Sequence, residues 1–444
     1  MRPPPPSPRG SSPSRGLSVP TGRLSRLARF GGMATGIAGN VLAEGAAQMA
    51  RGGRPRVSDL LLTPANALRV TEELAQLRGA AMKVGQLMSM DAGELLPPEL
   101  SDILARLRSD ARPMPPVQLT AALNRRWGRD WPERFARFDM EPVAAASIGQ
   151  VHRALTREGR DLAIKVQYPG VRRSIDSDVD NVATLMRVSG ILPREIDLAP
   201  LLVEAKRQLH EEADYAREAQ HLARFGALLA GDPDHVVPGL CAELTRPDVL
   251  AMDYVEGGPV EAMTTASQAE RDRIATLMIR LLLRELFEFG LMQTDPNFAN
   301  YRVDVSGRLV LLDFGATRAI PPELAEGYRG LMRAALADDR QAAIAAARAI
   351  GFFDDRAMAR DAELEAMFDL ALAPFRGEGP FDFSDTSVTA KLRDRGMVFA
   401  QDRSVWHVPP VDTLFVQRKL GGVYLLASRL RAKVEVRTLL EPWL

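Results

Sequence analysis

The sequence predicts an α+β fold made of a helical module, a strand-rich segment and a mostly helical remainder. Three observations carry that expectation. Leu74, Leu77, Ala81, Val84 and Met88 recur at alternating spacings of three and four, the period of one helix face. Between Phe138 and Tyr168 the signal changes to strands, and Ala163-Ile164-Lys165-Val166-Gln167 is a β-prone run behind a polar turn at residues 157–161. Beyond Ala316 helical spacing dominates.

The elements follow in order. Residues 1–29 are rich in proline and arginine and carry no acid, a composition that cannot bury a core, so a disordered tail is expected. Residues 30–112 read as a helical N-terminal extension. One helix runs over 66–90, Pro97-Pro98 stops the chain, and a second helix covers 99–107. Residues 113–255 hold the strands, a long helical stretch from about Ile196 to Leu229, and a strand at Val249–Val255 entering a Gly257-Gly258 turn. Residues 256–444 open with an amphipathic helix over Ile274–Phe289, whose stripe is Ile274, Leu277, Met278, Leu281, Leu282 and Leu286. Val303–Leu312 reads as a hairpin about Ser306-Gly307.

Composition sets limits. The chain has 444 residues, too many for one ordinary domain, and 46% of them are apolar, enough for a sizeable core. Lys plus Arg equals Asp plus Glu at 57 each, so nothing points to nucleic acid. Cys241 is the only cysteine, which excludes an internal disulfide and fits a reducing compartment. His210-Glu211-Glu212-Ala213-Asp214 begins like a zincin helix but lacks the second histidine, so no zinc is expected. The longest uncharged stretch near the start, Phe30–Ala43, falls short of the roughly 20 apolar residues that span a bilayer. A surface-lying helix is the membrane contact it allows.

Four pieces that carry chemistry occur in one order. Ala144-Ala145-Ala146-Ser147-Ile148-Gly149-Gln150-Val151 lies on the kinase glycine-rich loop, G-x-G-x-x-G-x-V, keeping Gly149 and Val151 and placing Ala144 and Ala146 where glycines are expected. Such a loop covers phosphates with backbone N–H groups, although an alanine-rich turn alone is common. Ala163-Ile164-Lys165 follows and matches V-A-I-K, whose lysine holds the α- and β-phosphates. A lysine on a strand is more often a solvated face, so its role depends on strand phase. Glu218 is the expected acidic partner of Lys165. It lies four residues after Asp214 on the same helix face, while Glu212 points roughly 200° away from Asp214. Finally, Asp295 and Asn300 have the spacing of the kinase catalytic loop, and Asp313-Phe314-Gly315 gives D-F-G eighteen residues after Asp295. Asp295 is suited to orient the attacking group and accept its proton, while Asn300 and Asp313 offer hard oxygens to Mg²⁺ bridging the phosphates. Met252, Asp253 and Val255 suit a hinge whose backbone amides meet adenine.

In these residues the sequence resembles the UbiB/AarF/ADCK family of atypical kinases over about Leu24–Trp443. The resemblance rests on Lys83-Val84-Gly85-Gln86, Ala144–Val151, Ala163–Gln167, Glu212-Ala213-Asp214, Gln293–Asn297 and Leu312–Gly315. The run Phe415-Val416-Gln417-Arg418-Lys419-Leu420-Gly421-Gly422 is similar to the coenzyme-Q branch. The resemblance implies a two-lobed protein-kinase-like fold with a helical N-terminal extension lying where a kinase seats its peptide. It implies that Lys83 and Gln86 meet the acids Glu212 and Asp214 in the nucleotide site. It also implies ATP hydrolysis or small-molecule phosphorylation in support of ubiquinone biosynthesis, often at a membrane.

The leading expectation is therefore an enzyme binding ATP with Mg²⁺ and transferring phosphoryl to water or to a small or lipid-like acceptor. Quinone-precursor lipids and other ubiquinone-biosynthesis proteins are the implied partners. A cytoplasmic location, with peripheral contact at the inner face of a membrane, is expected. Two alternatives stand beside it. One is a protein kinase acting on a polypeptide, disfavoured because no Ala-Pro-Glu follows Gly315. The other is a nucleotide-sensing pseudokinase scaffold or lipid-binding module, kept open by Ala144 and Ala146.

Overall fold

A computed structural model describes residues 113–188, 199–352 and 409–444, with scattered positions elsewhere that include Ala80, Lys83 and 379–385. The expected tail and the helices expected over 66–90 and 99–107 lie outside the described residues, except that Ala80 and Lys83 are helical and buried. The described strands, in chain order, are β1 (Phe135–Phe138), β2 (Ala144–Ala145), β3 (Gly149–Thr156), β4 (Asp161–Gln167), β5 (His235–Val236), β6 (Val249–Asp253), β7 (Gly258–Pro259), β8 (Leu291–Gln293), β9 (Tyr301–Val303), β10 (Leu309–Leu311), β11 (Thr317–Ala319), β12 (Phe381–Asp382) and β13 (Lys433–Val434). The described helices are α1 (Pro116–Trp127), α2 (Val171–Val188), α3 (Ala199–Glu212), α4 (Tyr215–Leu228), α5 (Gln268–Arg284), α6 (Pro322–Leu336), α7 (Arg340–Ala349), α8 (Val411–Leu430) and α9 (Val436–Leu440). They divide into two compact units: one runs to Ala213 and includes Glu243–Ala251, and the other holds Asp214–Ala242 and Met252–Leu444.

The first unit is built on a five-stranded sheet in the order β1-β3-β4-β6, with β2 pairing β3. α1 starts on a proline, whose missing N–H has no helical partner to lose at that position. Trp127, Trp131, Phe135 and Phe138 then stack edge and face with ring centroids 4.8–6.1 Å apart. Trp127 Nε1 donates to Leu244 O at 2.9 Å, which finds a partner for its one buried polar atom. The sheet is buried on both faces along β4, where every residue from Leu162 to Gln167 is buried.

The second unit is organised around α5. Ser267 and Glu270 cap it reciprocally, and Ile274, Leu277, Met278, Leu281 and Leu282 are all buried. Its continuation is a π-helical turn, Glu285–Phe289, ended by Gly290 in the left-handed conformation at φ 57°. The expected hairpin is present as β9 and β10, paired antiparallel around the Asp304–Arg308 turn. α6, α7 and Val416 of α8 close a second core layer around Tyr328 and Leu331.

One expectation is corrected. The helix expected from Ile196 to Leu229 is two helices. Asp214 leaves helical geometry (φ −102°, ψ 83°) and its carboxylate accepts the Arg217 N–H at 3.1 Å, capping α4. Asp214 and Glu218 therefore do not share a helix face in the manner expected, and Glu212 sits on a different helix. α4 falls in the second unit, where Phe225 packs its ring 4.9 Å from Phe314 and 6.2 Å from Phe289.

Candidate functional site

In the first unit, strand register brings the expected residues together. β2 and β3 pair through Ala144↔Val151 and Ala145↔Gln150, and the Ala146 N–H donates to Gly149 O at 2.9 Å. The result is a tight turn over Ser147 and Ile148. β3 and β4 pair through Val151↔Lys165. Directly opposed residues share a sheet face, so Ala144, Val151 and Lys165 form one row across three strands. Lys165 is 8% exposed, and Ile164 and Val166, on the opposite face, are buried too. Strand phase thus puts the lysine inside rather than on a solvated face.

Glu212 ties this hairpin to the N-terminal extension. Ser147 Oγ donates to Glu212 Oε2 at 3.0 Å, and Lys83 Nζ forms an ion pair with Glu212 Oε1. A buried ammonium requires such a counter-charge, and Lys83 is 4% exposed. The Gln167 amide donates to Ala213 O at 2.8 Å, which fixes the end of α3 to the end of β4 and so places Glu212. Gln86 lies outside the described residues.

The second unit holds the remaining residues. Thr294 donates both its N–H (3.1 Å) and its Oγ1 hydrogen (2.6 Å) to Ala316 O, extending the β8–β11 pair to the residue before Asp295. The loop then turns through a 3₁₀ segment, Phe298–Asn300, capped by Asn297. Asn300 Nδ2 donates to Asp295 Oδ2 at 3.3 Å, and the Leu312 N–H donates to Asn300 O at 3.0 Å. Asn300 and Asp313 therefore leave one ladder at neighbouring points. Asp313 Oδ1 accepts the Gly315 N–H at 2.9 Å. A Cβ on Gly315 would lie 3.3 Å from that oxygen and 3.7 Å from Glu218 Oε2, so Glu218, 1% exposed, is set beside the D-F-G turn. Phe314 is 1% exposed and fills the core under α4.

The hinge expectation needs correction at one atom. The Asp253 N–H already donates to Gly239 O at 2.8 Å, and Asp253 Oδ2 accepts the Gly239 N–H at 3.1 Å. That amide is spent within the second unit and is not offered to a base. Met252 is buried and Val255 is half-buried.

Several residues that shape this site carried no role in the sequence reading. Arg217 donates to Gly315 O at 3.0 Å and to Thr317 O at 2.6 Å, gripping the segment after D-F-G. Arg418 of α8 donates to Asp295 Oδ1 at 3.0 Å. Lys419, beside it, is 1% exposed and pairs with Glu285 at 3.0 Å. Burial works against the Lys419 charge, but the Glu285 carboxylate and the Tyr301 oxygen outweigh it and push the ammonium pKa up to about 12. Gly422 abuts Pro296 so closely that a Cβ there would collide with the proline ring. A sequence signal for the buried pair exists. Glu285 falls in the phase of Leu281, Leu282 and Phe289, and Lys419 in the phase of Phe415, Val416 and Val423. A charge within an apolar stripe calls for a buried partner.

The donor chemistry fits Mg²⁺. Asn300 and Asp313 offer oxygen ligands of the hard kind that ion prefers. Among the described residues no cluster of three His, Cys, Asp or Glu side chains is placed to hold a metal alone. Phosphate oxygens would have to complete the shell. A concavity lined by Ala335, Leu336, Asp338, Arg340 and Asp369 contains none of these residues.

Comparison with known proteins gives concordant results. The ABC1 atypical kinase-like domain family matches residues 106–347. The chain is 36% identical over 430 residues to the mitochondrial atypical kinase COQ8 of Saccharomyces cerevisiae, covering 96% of this chain and 85% of that protein. It is 39% identical over 442 residues to the mitochondrial atypical kinase COQ8B of Rattus norvegicus, covering 98% and 83%. Among solved structures, Rv3197 of Mycobacterium tuberculosis, in complex with erythromycin, matches with a TM-score of 0.62 at 26% identity over 87% of this chain and 97% of that one.

Proposed function

Since the chain belongs to the ABC1 atypical kinase-like family, the UbiB/AarF/ADCK group that includes COQ8, we propose that it uses Mg-ATP to transfer phosphoryl to water or to a small, lipid-like acceptor. The fold is α+β, two-lobed and protein-kinase-like. The protein is an enzyme, an atypical kinase that transfers phosphoryl from ATP, and its role is in ubiquinone biosynthesis.

The residue roles we propose follow from local chemistry. The Ala144–Val151 hairpin covers the phosphates, and Lys165 holds the α- and β-phosphates with Glu218 as its acidic counterpart. Asn300 and Asp313 hold Mg²⁺, which when bound neutralises charge on the phosphates. Asp295 orients the acceptor hydroxyl or water and takes its proton. Lys83 and Glu212, with Gln86 and Asp214, border the same nucleotide.

The observation that carries the choice of a small acceptor is the length of chain after D-F-G. Only Ala316–Pro321 separates Gly315 from α6, and three of those residues pair into β11. The Ile320 N–H is also taken, by Gly290 O at 2.9 Å. Such a segment has no room for the platform on which a protein kinase lays a peptide. A polypeptide acceptor is the second reading, and phosphate incorporation into generic proteins would favour it.

We further propose quinone-precursor lipids and other ubiquinone-biosynthesis proteins as partners. The location proposed is cytoplasmic, with peripheral contact at the inner face of a membrane. Among the described residues no helix is long and apolar enough to cross one.

The test is Asp313→Asn. Turnover of Mg-ATP is expected to fall by about 100-fold or more, with the thermal melt unchanged. Retained turnover in the folded variant rejects the assignment.

A further inference from the structure

The loop Asp295–Asn300 carries two of the groups that the proposed chemistry needs, and one buried cation is bonded to the residues at both of its ends. Lys419 Nζ donates to Gln293 O at 2.8 Å and to Gln293 Oε1 at 3.1 Å, two residues before Asp295. It also donates to Tyr301 OH at 2.8 Å, one residue after Asn300. Tyr301 OH donates in turn to Gln293 Oε1 at 2.9 Å. Glu285 pairs with the ammonium at 3.0 Å, and its other oxygen accepts the Gln293 N–H at 3.2 Å. Every contact of the ammonium goes to a loop end or to the carboxylate that holds one.

We propose that Lys419, with Glu285, is a positioning residue for phosphoryl transfer. It fastens the two ends of the loop so that Asp295 and Asn300 keep one mutual geometry. The inference rests on reading Asp295–Asn300 as the catalytic loop. Three physical points support it. A buried ion pair is a poor means of stabilising a fold, since apolar residues of similar volume usually serve as well. Its better-attested use is to specify one arrangement out of several. And here the pair sits where the α5 helix relaxes into the π-helical turn Glu285–Phe289, a departure that is frequent at functional sites. The pair therefore joins Glu285, the segment Gln293–Tyr301 and, more than a hundred residues on, Lys419, whose common neighbour is the loop.

The consequence is selective. Loosening the loop ends displaces the acceptor-orienting acid relative to the metal-binding amide, while the strand row that contains Lys165 is untouched. Loss of the network should thus lower kcat and leave nucleotide affinity near its starting value.

The experiment uses the full chain with Lys419→Met and Glu285→Gln combined, so that no lone charge is left buried. Measured are kcat and KM for Mg-ATP, ADP affinity by calorimetry, and the thermal melt. The expected result is a fall in kcat of about 100-fold, with ADP affinity and melt close to wild type. A folded double variant with wild-type kcat overturns the inference and leaves the pair a fold element only. Should the double variant fail to fold, Tyr301→Phe removes one bond of the network with little change in shape. Its kcat is expected to fall by about fivefold at unchanged KM, and unchanged kcat overturns the inference. Asp295→Asn separates the two levels. If it abolishes turnover while the network variants keep it, only this inference falls; if it keeps turnover, the reading of the loop falls and this inference with it.

Discussion

In the first unit the row that holds Lys165 is set by neighbouring strands, and in the second the loop at Asp295 is seated by residues more than a hundred positions away. Ala144, Val151 and Lys165 meet by antiparallel register within 22 residues of sequence. Asp295 meets Arg418 across 123 residues, and Gln293 meets Lys419 across 126. Register is a local property, fixed once the strands pair. The contacts of α8 depend on the whole second unit having folded. The first arrangement should tolerate change at a distance, and the second should fail when α8 shifts.

The sharpest way to break that contrast is Gly422→Ala. The added methyl meets Pro296, and overpacking of this kind costs about 1–3 kcal/mol. Turnover is expected to fall along with stability, because α8 must move away from the loop. Denaturant unfolding and steady-state kinetics check it, and an unchanged kcat would show that α8 docking is irrelevant to the loop.

A smaller effect is expected from Lys83→Met. It leaves Glu212 with the bond from Ser147 and costs about 1–2 kcal/mol, read by denaturant unfolding. Turnover should respond less than it does to Gly422→Ala. The reverse order would mean that the first unit's charges, not the second unit's long-range contacts, dominate the chemistry.

The smallest effect concerns pH. His221 lies on α4, four residues after Arg217. Burial, with Arg217 and then Arg224 adding repulsion, pushes its pKa from 6.5 down to about 4. The folded state binds this proton less readily than the unfolded chain does. Its contribution is therefore complete above about pH 6.5 and is lost as pH falls towards about 4. His221 is half-exposed, and solvent screening keeps the effect modest. His221→Gln is expected to lose less melting temperature than wild type between pH 7 and pH 5. Equal losses would remove His221 from the account.

The same contrast explains what the sequence made legible. The strand at Ala163–Gln167 and the hairpin expected over Val303–Leu312 depend on short intervals, so local pattern was enough. The break at Asp214 was missed because helical spacing continues through it, and only its capping bond to Arg217 shows where one helix ends. The hinge was read one bond too generously, since nothing local reveals that Gly239 takes the Asp253 N–H. Arg418 and Lys419 stood out as letters, but their partners did not. Glu285 and Lys419 each interrupt an apolar stripe, which says that both need a counter-charge without saying that they find each other.

The position of α8 also has a consequence in time. During synthesis Asp295 leaves the ribosome well ahead of Arg418. At about 5–20 residues per second, their 123-residue separation amounts to a delay of about 6–25 s. Throughout that interval the acid exists without the cation that is bonded to it in the folded protein.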